Sequence, residues 1–288
     1  MHDSLLPAFA QRGDESGRWP LVLASPHSGQ DYPAAFLASS RLSRAQLRRA
    51  EDPFVDQLLA DIGDVPLLTA RYGRAFLDLN RSATELDPAM FDAPLAVPVT
   101  ITDRVAAGLG VLPRVAAYGS DIYRRRIAPA EAMHRVATLH HPWHDRISTL
   151  LARAKARHGH AILLDCHSMP QPAGVLPPQI VLGDRHGTTA APALVALIEQ
   201  HFRAAGWRVA RNHPYAGGYT TEHHAGVDNG VHAVQIEIDR SLYMDPVKLV
   251  AHAGFARVAS VLAALVPRLL AAAPALGLEA PAFRQAAE

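Results

Sequence analysis

One cysteine, Cys166, is all that 288 residues provide, which excludes an internal disulfide framework and agrees with a reducing compartment. Net charge is nearly absent too, 28 Lys+Arg against 27 Asp+Glu leaving +1. Nucleic-acid binders carry a basic stripe. The only cluster here is Arg124-Arg125-Arg126, which reads as a solvated face or as help in holding an anionic substrate. No apolar run is long enough for a bilayer span, which takes roughly 20 uninterrupted residues. The longest, Val258 to Leu276, is broken by Pro267, Arg268 and Pro274 and reads as a packed helix. Repeats, low-complexity blocks and heptads are missing. Met1-His2-Asp3-Ser4 carries an acid and lacks the basic start of a signal peptide. The expectation is a cytoplasmic protein with no nucleic-acid or membrane partner, either monomeric or a homo-oligomer.

What is present is an ordinary globular composition, 49% hydrophobic and 19% charged, with sixteen histidines. The length suits one large α/β domain or two small ones, and a single α/β domain over 1–288 is expected. Leu21-Val22-Leu23-Ala24 is a short apolar run opening into Ser25-Pro26-His27-Ser28-Gly29, the pattern of a buried strand ending in a loop. Ser43 is placed to cap a helix over about 44–62, with Leu47, Phe54, Val55, Leu58 and Leu59 mostly three or four apart. Pro53 interrupts it, so Glu51-Asp52 is expected at a kink or a new helix start. Strands are expected over 65–69 and 75–79, the second running into Asp78-Leu79-Asn80-Arg81. A Pro-rich irregular section over 87–113 follows, the best candidate for an active-site wall or lid.

A helix is expected from Pro129 to about Arg157, then a strand over 161–164 ending in Asp165-Cys166-His167-Ser168. A strand over 180–182 ends in Gly183-Asp184, with a helix over 190–205, strands over 208–210 and 231–238, and a helical segment over 246–273. Strands alternating with helices indicate an α/β protein with a mostly parallel sheet. Ligands then sit beyond the carboxyl ends of the strands, where His27, Asn80-Arg81, His167 and Asp184 are all expected.

Two histidines at corresponding strand ends suit zinc, whose catalytic sites use three protein ligands and leave one position for water. His27 and His167 are the candidate ligands. The third is expected to be a carboxylate, Asp52 or Asp56, with Asp52 preferred because a helix start beside Pro53 aims it into the cleft. Asp165 is placed to orient His167 from behind. Cys166 as a nucleophile has no base nearby in sequence and reads as a small buried residue. Gln235, Glu237 and Asp239 share one face of an alternating strand. On a cleft face Glu237 is a general base; on an exposed edge it is an ordinary polar residue. Arg81 and Arg240 are candidate carboxylate clamps, with surface ion pairs as the plainer reading. Gly217-Gly218-Tyr219 reads as a loop able to close over substrate, hinged at the glycines. His144 is within reach of the site, and His223-His224 is assigned no role.

Ser25-Pro26-His27-Ser28-Gly29, Asp78-Leu79-Asn80-Arg81, Pro142-Trp143-His144 and Asp165-Cys166-His167-Ser168-Met169 occur in order. Asn212-x-Pro-Tyr215-x-Gly-Gly-Tyr219 and Gln235-x-Glu237-x-x-Arg240-x-x-Tyr243-Met244-Asp245 complete the set. From about residue 20 to 250 the chain resembles the N-formylglutamate amidohydrolase (deformylase) family. The resemblance implies hydrolysis of N-formyl-L-glutamate in histidine degradation. It also implies a zinc-exopeptidase-like three-layer sandwich around a mixed, mostly parallel sheet. It maps His27 and His167 to the zinc, Asn80-Arg81 to the substrate carboxylate and Glu237 to the base, and leaves the third ligand among Asp31, Asp52 and Asp56. The expected set is zinc on His27, Asp52 and His167, with catalysis by Glu237 and Arg81. Asn80, Arg81, Arg240, Gly218, Tyr219 and His144 would bind substrate. The implied partner is a small acidic N-acyl amino acid. Rival readings are a deacylase of another N-acyl amino acid or short peptide, and a non-catalytic metabolite-binding protein on the same fold.

Overall fold

The computed structural model describes residues 5–116 and 119–280, so the reading made at Met1-His2-Asp3-Ser4 lies outside the described residues. Its strands are β1 (Phe9–Arg12), β2 (Leu21–Ser25), β3 (Leu67–Ala70), β4 (Ala161–Met169), β5 (Ile180–Gly183), β6 (Val209–Arg211), β7 (Val231–Asp239), β8 (Met244–Asp245) and β9 (Val250–Ala251). Its α-helices are α1 (Ala34–Ser39), α2 (Arg44–Leu47), α3 (Val55–Leu58), α4 (Asp103–Ala106), α5 (Pro129–Arg135), α6 (His141–His158), α7 (Pro192–Ala204), α8 (Tyr219–His224) and α9 (Phe255–Ala272).

Seven strands form one sheet in the order β1-β3-β2-β4-β7-β5-β6. Pairing is parallel at β2–β4, β4–β7 and β5–β6, and antiparallel at β5–β7. The architecture is therefore α/β with a mixed, mostly parallel sheet, as the alternation of elements predicted. β4 and β7 are nine residues each and buried almost throughout, which suits central parallel strands covered on both faces. Ile162, Leu164 and Cys166 of β4 and Val234, Ile236 and Ile238 of β7 join α3, α7 and α9 in one apolar core. The intervening residues point to the other face, where α8 packs over β4 and β7.

By contact density the chain divides into two compact units that interleave in sequence. One holds the chain up to Ala10, Pro26–Pro53 and Thr69–Arg146; the other holds Gln11–Ser25, Phe54–Leu68 and the chain from Ile147. The first is built from short helices and turns around an aromatic cluster. There the Arg135 guanidinium lies 4.1 Å from the Phe76 ring and donates to the Phe76 carbonyl and the Tyr123 hydroxyl. The second contains the central strands and the apolar core. α9 is the one helix among the described residues long and apolar enough to cross a membrane by length and composition. Its stripe of Val258, Leu262, Leu265, Val266 and Leu269 is buried, and it packs on α3 and α7.

Several elements differ from the sequence expectation. The helix over 44–62 is two pieces: α2, closed by a Ser43–Gln46 capping box, and α3, entered through Phe54 at φ 68°. Extended backbone at Glu51 separates them. Residues 75–79 are turns rather than a strand, because the Asp78 carboxylate takes the Asn80 amide and Phe76 N–H closes on Gly73. Residues 246–254 contain the β8–β9 hairpin rather than helix, its turn fixed by Asp245, which accepts from the Val247 and Lys248 amides. β4 continues to Met169, so His167 lies within a strand and not in the loop after it. Asp184 is a further correction. β5 runs antiparallel to β7, so its carboxyl end points away from the ends of β4 and β7, and Asp184 instead holds the 184–189 turn and Asn212.

Candidate metal centre and catalytic residues

His27 follows β2 and is 2% exposed. The helix break at Pro53 delivers Asp52 beside it, and the Asp52 amide donates to the His27 carbonyl at 2.9 Å. The side chains meet as well: His27 Nδ1 lies 3.4 Å from Asp52 Oδ2, and His27 Nε2 lies 2.7 Å from Asp78 Oδ1. Burial alone would raise the Asp78 carboxyl, but Arg74, His27 and Arg81 outweigh it and hold Asp78 well below the usual carboxylate range. Asp78 is therefore an acceptor only, and His27 donates from Nε2. Nδ1, the other ring nitrogen, faces the Asp52 carboxylate. Two ligand atoms on a tetrahedral zinc, each about 2.0–2.2 Å from the ion, stand about 3.3 Å apart. The observed spacing fits a shared metal.

Asp78 anchors the rest of this cluster. Arg74 Nη2 reaches its Oδ2 at 2.6 Å, and Arg81 Nη2 lies 4.0 Å away. Arg81 is fixed further by the Leu109 and Asn80 carbonyls at 3.0 and 2.8 Å. Leu109 belongs to the 87–113 section, which thus contacts Arg81 through that carbonyl. Burial lowers the pKa of Arg81, and Asp78 opposes that shift. Two histidines hold the same loop from one helix: His140 Nε2 bonds to the Arg81 carbonyl at 2.8 Å and His144 Nε2 to the Leu79 carbonyl at 2.9 Å. Their rings lie 4.4 Å apart where a π-turn, Val136–His140, joins α5 to α6.

On β4 and β7 four polar residues form a block on the face opposite the apolar core. Asp165 is the register partner of Gln235, and His167 that of Glu237. Along each strand a second bond completes the block: His167 Nε2 to Asp165 Oδ2 at 2.9 Å, and Gln235 Nε2 to Glu237 Oε1 at 2.8 Å. Gly218 N–H, at the start of α8, donates to Gln235 Oε1 at 2.8 Å. Just beyond β7, Arg240 is 8% exposed and its Nε donates to Ser168 Oγ at 3.1 Å.

The remaining candidates are placed as follows. Asp31 is half exposed and pairs loosely with Arg71 at 3.9 Å, while Asp56 lies on α3, where burial raises its pKa. Neither is paired with His27 as Asp52 is. Cys166 faces the apolar core, and burial pushes its thiol far above the ordinary range, so it is no thiolate. Gly217 and Gly218 are buried, and the Gly218 amide is held to the sheet through Gln235. Tyr219 stacks on His223 and contacts its Nδ1 through the hydroxyl. Asp78, Gln235 and His140 had no assigned role in the sequence reading. Only the spacing Gln235-x-Glu237 signalled any of them, since the others depend on contacts 51 and 59 residues away.

The family model described as N-formylglutamate amidohydrolase matches residues 19–244. An N-formylglutamate deformylase of Pseudomonas aeruginosa is 32% identical over 238 residues, 80% of this chain and 84% of that protein. One of Pseudomonas putida is 26% identical over 239 residues, 80% and 83% of the two chains. The crystal structure of an N-formylglutamate amidohydrolase from Ralstonia eutropha JMP134 superposes with a TM-score of 0.87 at 32% identity, covering 92% of this chain and 98% of that one. A protein of Agrobacterium tumefaciens shares the fold at 20% identity, with a TM-score of 0.67 and coverage of 92% and 94%.

Proposed function

This chain belongs to the N-formylglutamate amidohydrolase family, and from that premise we propose that it hydrolyses N-formyl-L-glutamate to formate and L-glutamate using one divalent metal. His27, Asp52 and His167 are the ligands in this reading, a buried donor set of two imidazoles and a carboxylate, whose chemistry suits zinc. The observation that carries it is the pairing of each histidine. Nε2 of His27 is held by Asp78 and Nε2 of His167 by Asp165, which directs Nδ1 of each ring toward a ligand. The connectivity supports the same reading. Ala24 of β2 is the register partner of Asp165 of β4, and the two histidines follow three and two residues later.

A divalent ion held by His27, Asp52 and His167 would supply Lewis acidity for the formyl carbonyl and would lower the pKa of water toward about 7. Glu237 takes a proton from the attacking water as the new C–O bond forms at the formyl carbon. It then passes that proton to the departing nitrogen as the C–N bond breaks, so formate leaves and the amine of glutamate is restored. Arg81 and Arg240 bind the α- and γ-carboxylates, and Arg81 also opposes charge developing on the formyl oxygen. Asn80 and Tyr219 line the substrate, Gly218 supports Tyr219 from the sheet, and His144 holds the Leu79 carbonyl of the loop that carries Asn80 and Arg81. Release of glutamate fits a terminal step of histidine degradation.

The test is formate release from N-formyl-L-glutamate by zinc-loaded and by chelator-treated protein. The loaded protein is expected to turn over and the stripped protein to be inactive until zinc is restored. Turnover indifferent to chelation refutes the metal assignment, and no formate from the loaded protein refutes the substrate. Glu237→Gln should retain zinc and lose at least about 100-fold in kcat, the scale of a general base. A fully active Glu237→Gln protein excludes Glu237 from that role.

A further inference from the structure

Glu237 does not stand alone on β7. Its Oε1 accepts from Gln235 Nε2 at 2.8 Å, and Gln235 Oε1 accepts from Gly218 N–H at 2.8 Å. The orientation of the amide is forced. A backbone N–H only donates and a carboxylate accepts, so Gln235 must present oxygen to Gly218 and nitrogen to Glu237. The outer end of this relay depends on another residue. Gly183 on β5 is the register partner of Gln235, and a Cβ built there would lie 2.6 Å from Gly217 N and 2.7 Å from the Ala216 carbonyl carbon. These are backbone atoms that cannot swing aside, so only glycine at 183 lets the 216–218 segment lie against the sheet. Gly183 itself has no left-handed backbone that would require glycine. Close approach is the one demand on this position.

Accepting the reading of Glu237 as the base, on which this inference rests, we infer that Gln235 is the positioning residue of that base. The 216–218 backbone holds the Gln235 amide in register, and the amide holds one carboxylate oxygen of Glu237. In this reading that bond fixes the orientation in which the Glu237 carboxylate meets water and the leaving nitrogen. Gln235 touches no reacting atom. It acts through Glu237, and Gly183 acts through the loop.

Two variants of similar length separate this role from simple anchoring of the loop. Gln235→Glu keeps an acceptor for Gly218 N–H but offers Glu237 a carboxylate oxygen in place of N–H. Gln235→Met removes both bonds. If Gln235 positions Glu237, both variants lose about tenfold or more in kcat with KM within about threefold, a loss in the chemical step alone. If Gln235 only anchors the loop, Gln235→Glu keeps wild-type kcat and Gln235→Met alone is impaired, which overturns the proposal. Gly183→Ala enters from the loop side and is expected to lower kcat in the same sense, multiplying with Gln235→Met by less than the product of the two losses. In a Glu237→Gln background neither Gln235 variant should reduce the residual rate further; a full additional loss refutes action through Glu237. Zinc content and the thermal midpoint of each variant report folding independently of turnover. A Glu237→Gln protein with wild-type kcat removes the base and this inference together. An inactive Glu237→Gln protein beside fully active Gln235 variants removes this inference alone.

Discussion

On Asp78 four donors converge: His27 Nε2, Arg74, the Asn80 amide and, at 4.0 Å, Arg81. Its sequence neighbours gave no sign of this, because Leu77 and Leu79 alternate with it like the apolar side of a strand, and its partner His27 lies 51 residues earlier. Asp165 was legible, since it lies two residues from His167 on the same strand face and needs no distant partner to reach it. Asp78→Asn keeps the shape and loses the charge that fixes the His27 tautomer. Zinc affinity is expected to fall about 10–100-fold, the usual range for removing a carboxylate behind a ligating histidine. Competition against a chromophoric chelator measures it, and unchanged affinity would break the link between Asp78 and the metal. Cys166, a possible nucleophile on paper, points into the apolar core from the strand position between Asp165 and His167.

Among the elements, β7 was the most readable, whereas β4 continues five residues past the strand expected over 161–164. Leu164 and Cys166 of β4 and Val234, Ile236 and Ile238 of β7 join the apolar core, while Asp165, His167, Gln235 and Glu237 alternate with them on the other face. The direction of β5 was not readable, because a four-residue apolar strand packs equally well either way and only its partner decides. Helix α7 and strand β6 are tied by Glu199, which accepts from Arg203 at 2.8 Å and from Arg211 at 2.7 Å. Burial raises the Glu199 carboxyl slightly, but the two arginines outweigh it and lower its pKa from 4.5. A lowered folded pKa adds stability above the unfolded value and loses it as pH falls through the folded one. Glu199→Gln should therefore cost under about 1 kcal/mol at pH 7, a solvent-screened amount. That difference should shrink as pH falls through the lowered folded pKa. Thermal melts of both proteins from pH 7 into acid test it, and a difference that grows as pH falls contradicts the assignment.

For the molecule as a whole, the proposed ligands His27, Asp52 and His167 come from separate stretches of chain. A metal bound only by the folded chain stabilises it by mass action, about 2.7 kcal/mol at 100 times Kd. Added zinc should raise the melting temperature of chelator-stripped protein by roughly 5 °C, the shift expected for a chain of this size. The Asp78→Asn protein should show a smaller rise at the same zinc concentration. No rise in the unmutated protein would count against a structural role for the ion. The sequence by itself determined the α/β class, the donor types and their order along the chain, because strand period and imidazole or carboxylate chemistry are local properties. Only the tertiary structure decided that Asp52 rather than Asp31 lies beside His27, that Asp78 holds Nε2 of His27, and that Gln235 joins Gly218 to Glu237. Those choices are made by turns and strand pairings that bring together residues distant in sequence. Residue spacing carries no record of which distant carbonyl or carboxylate a buried ring will meet.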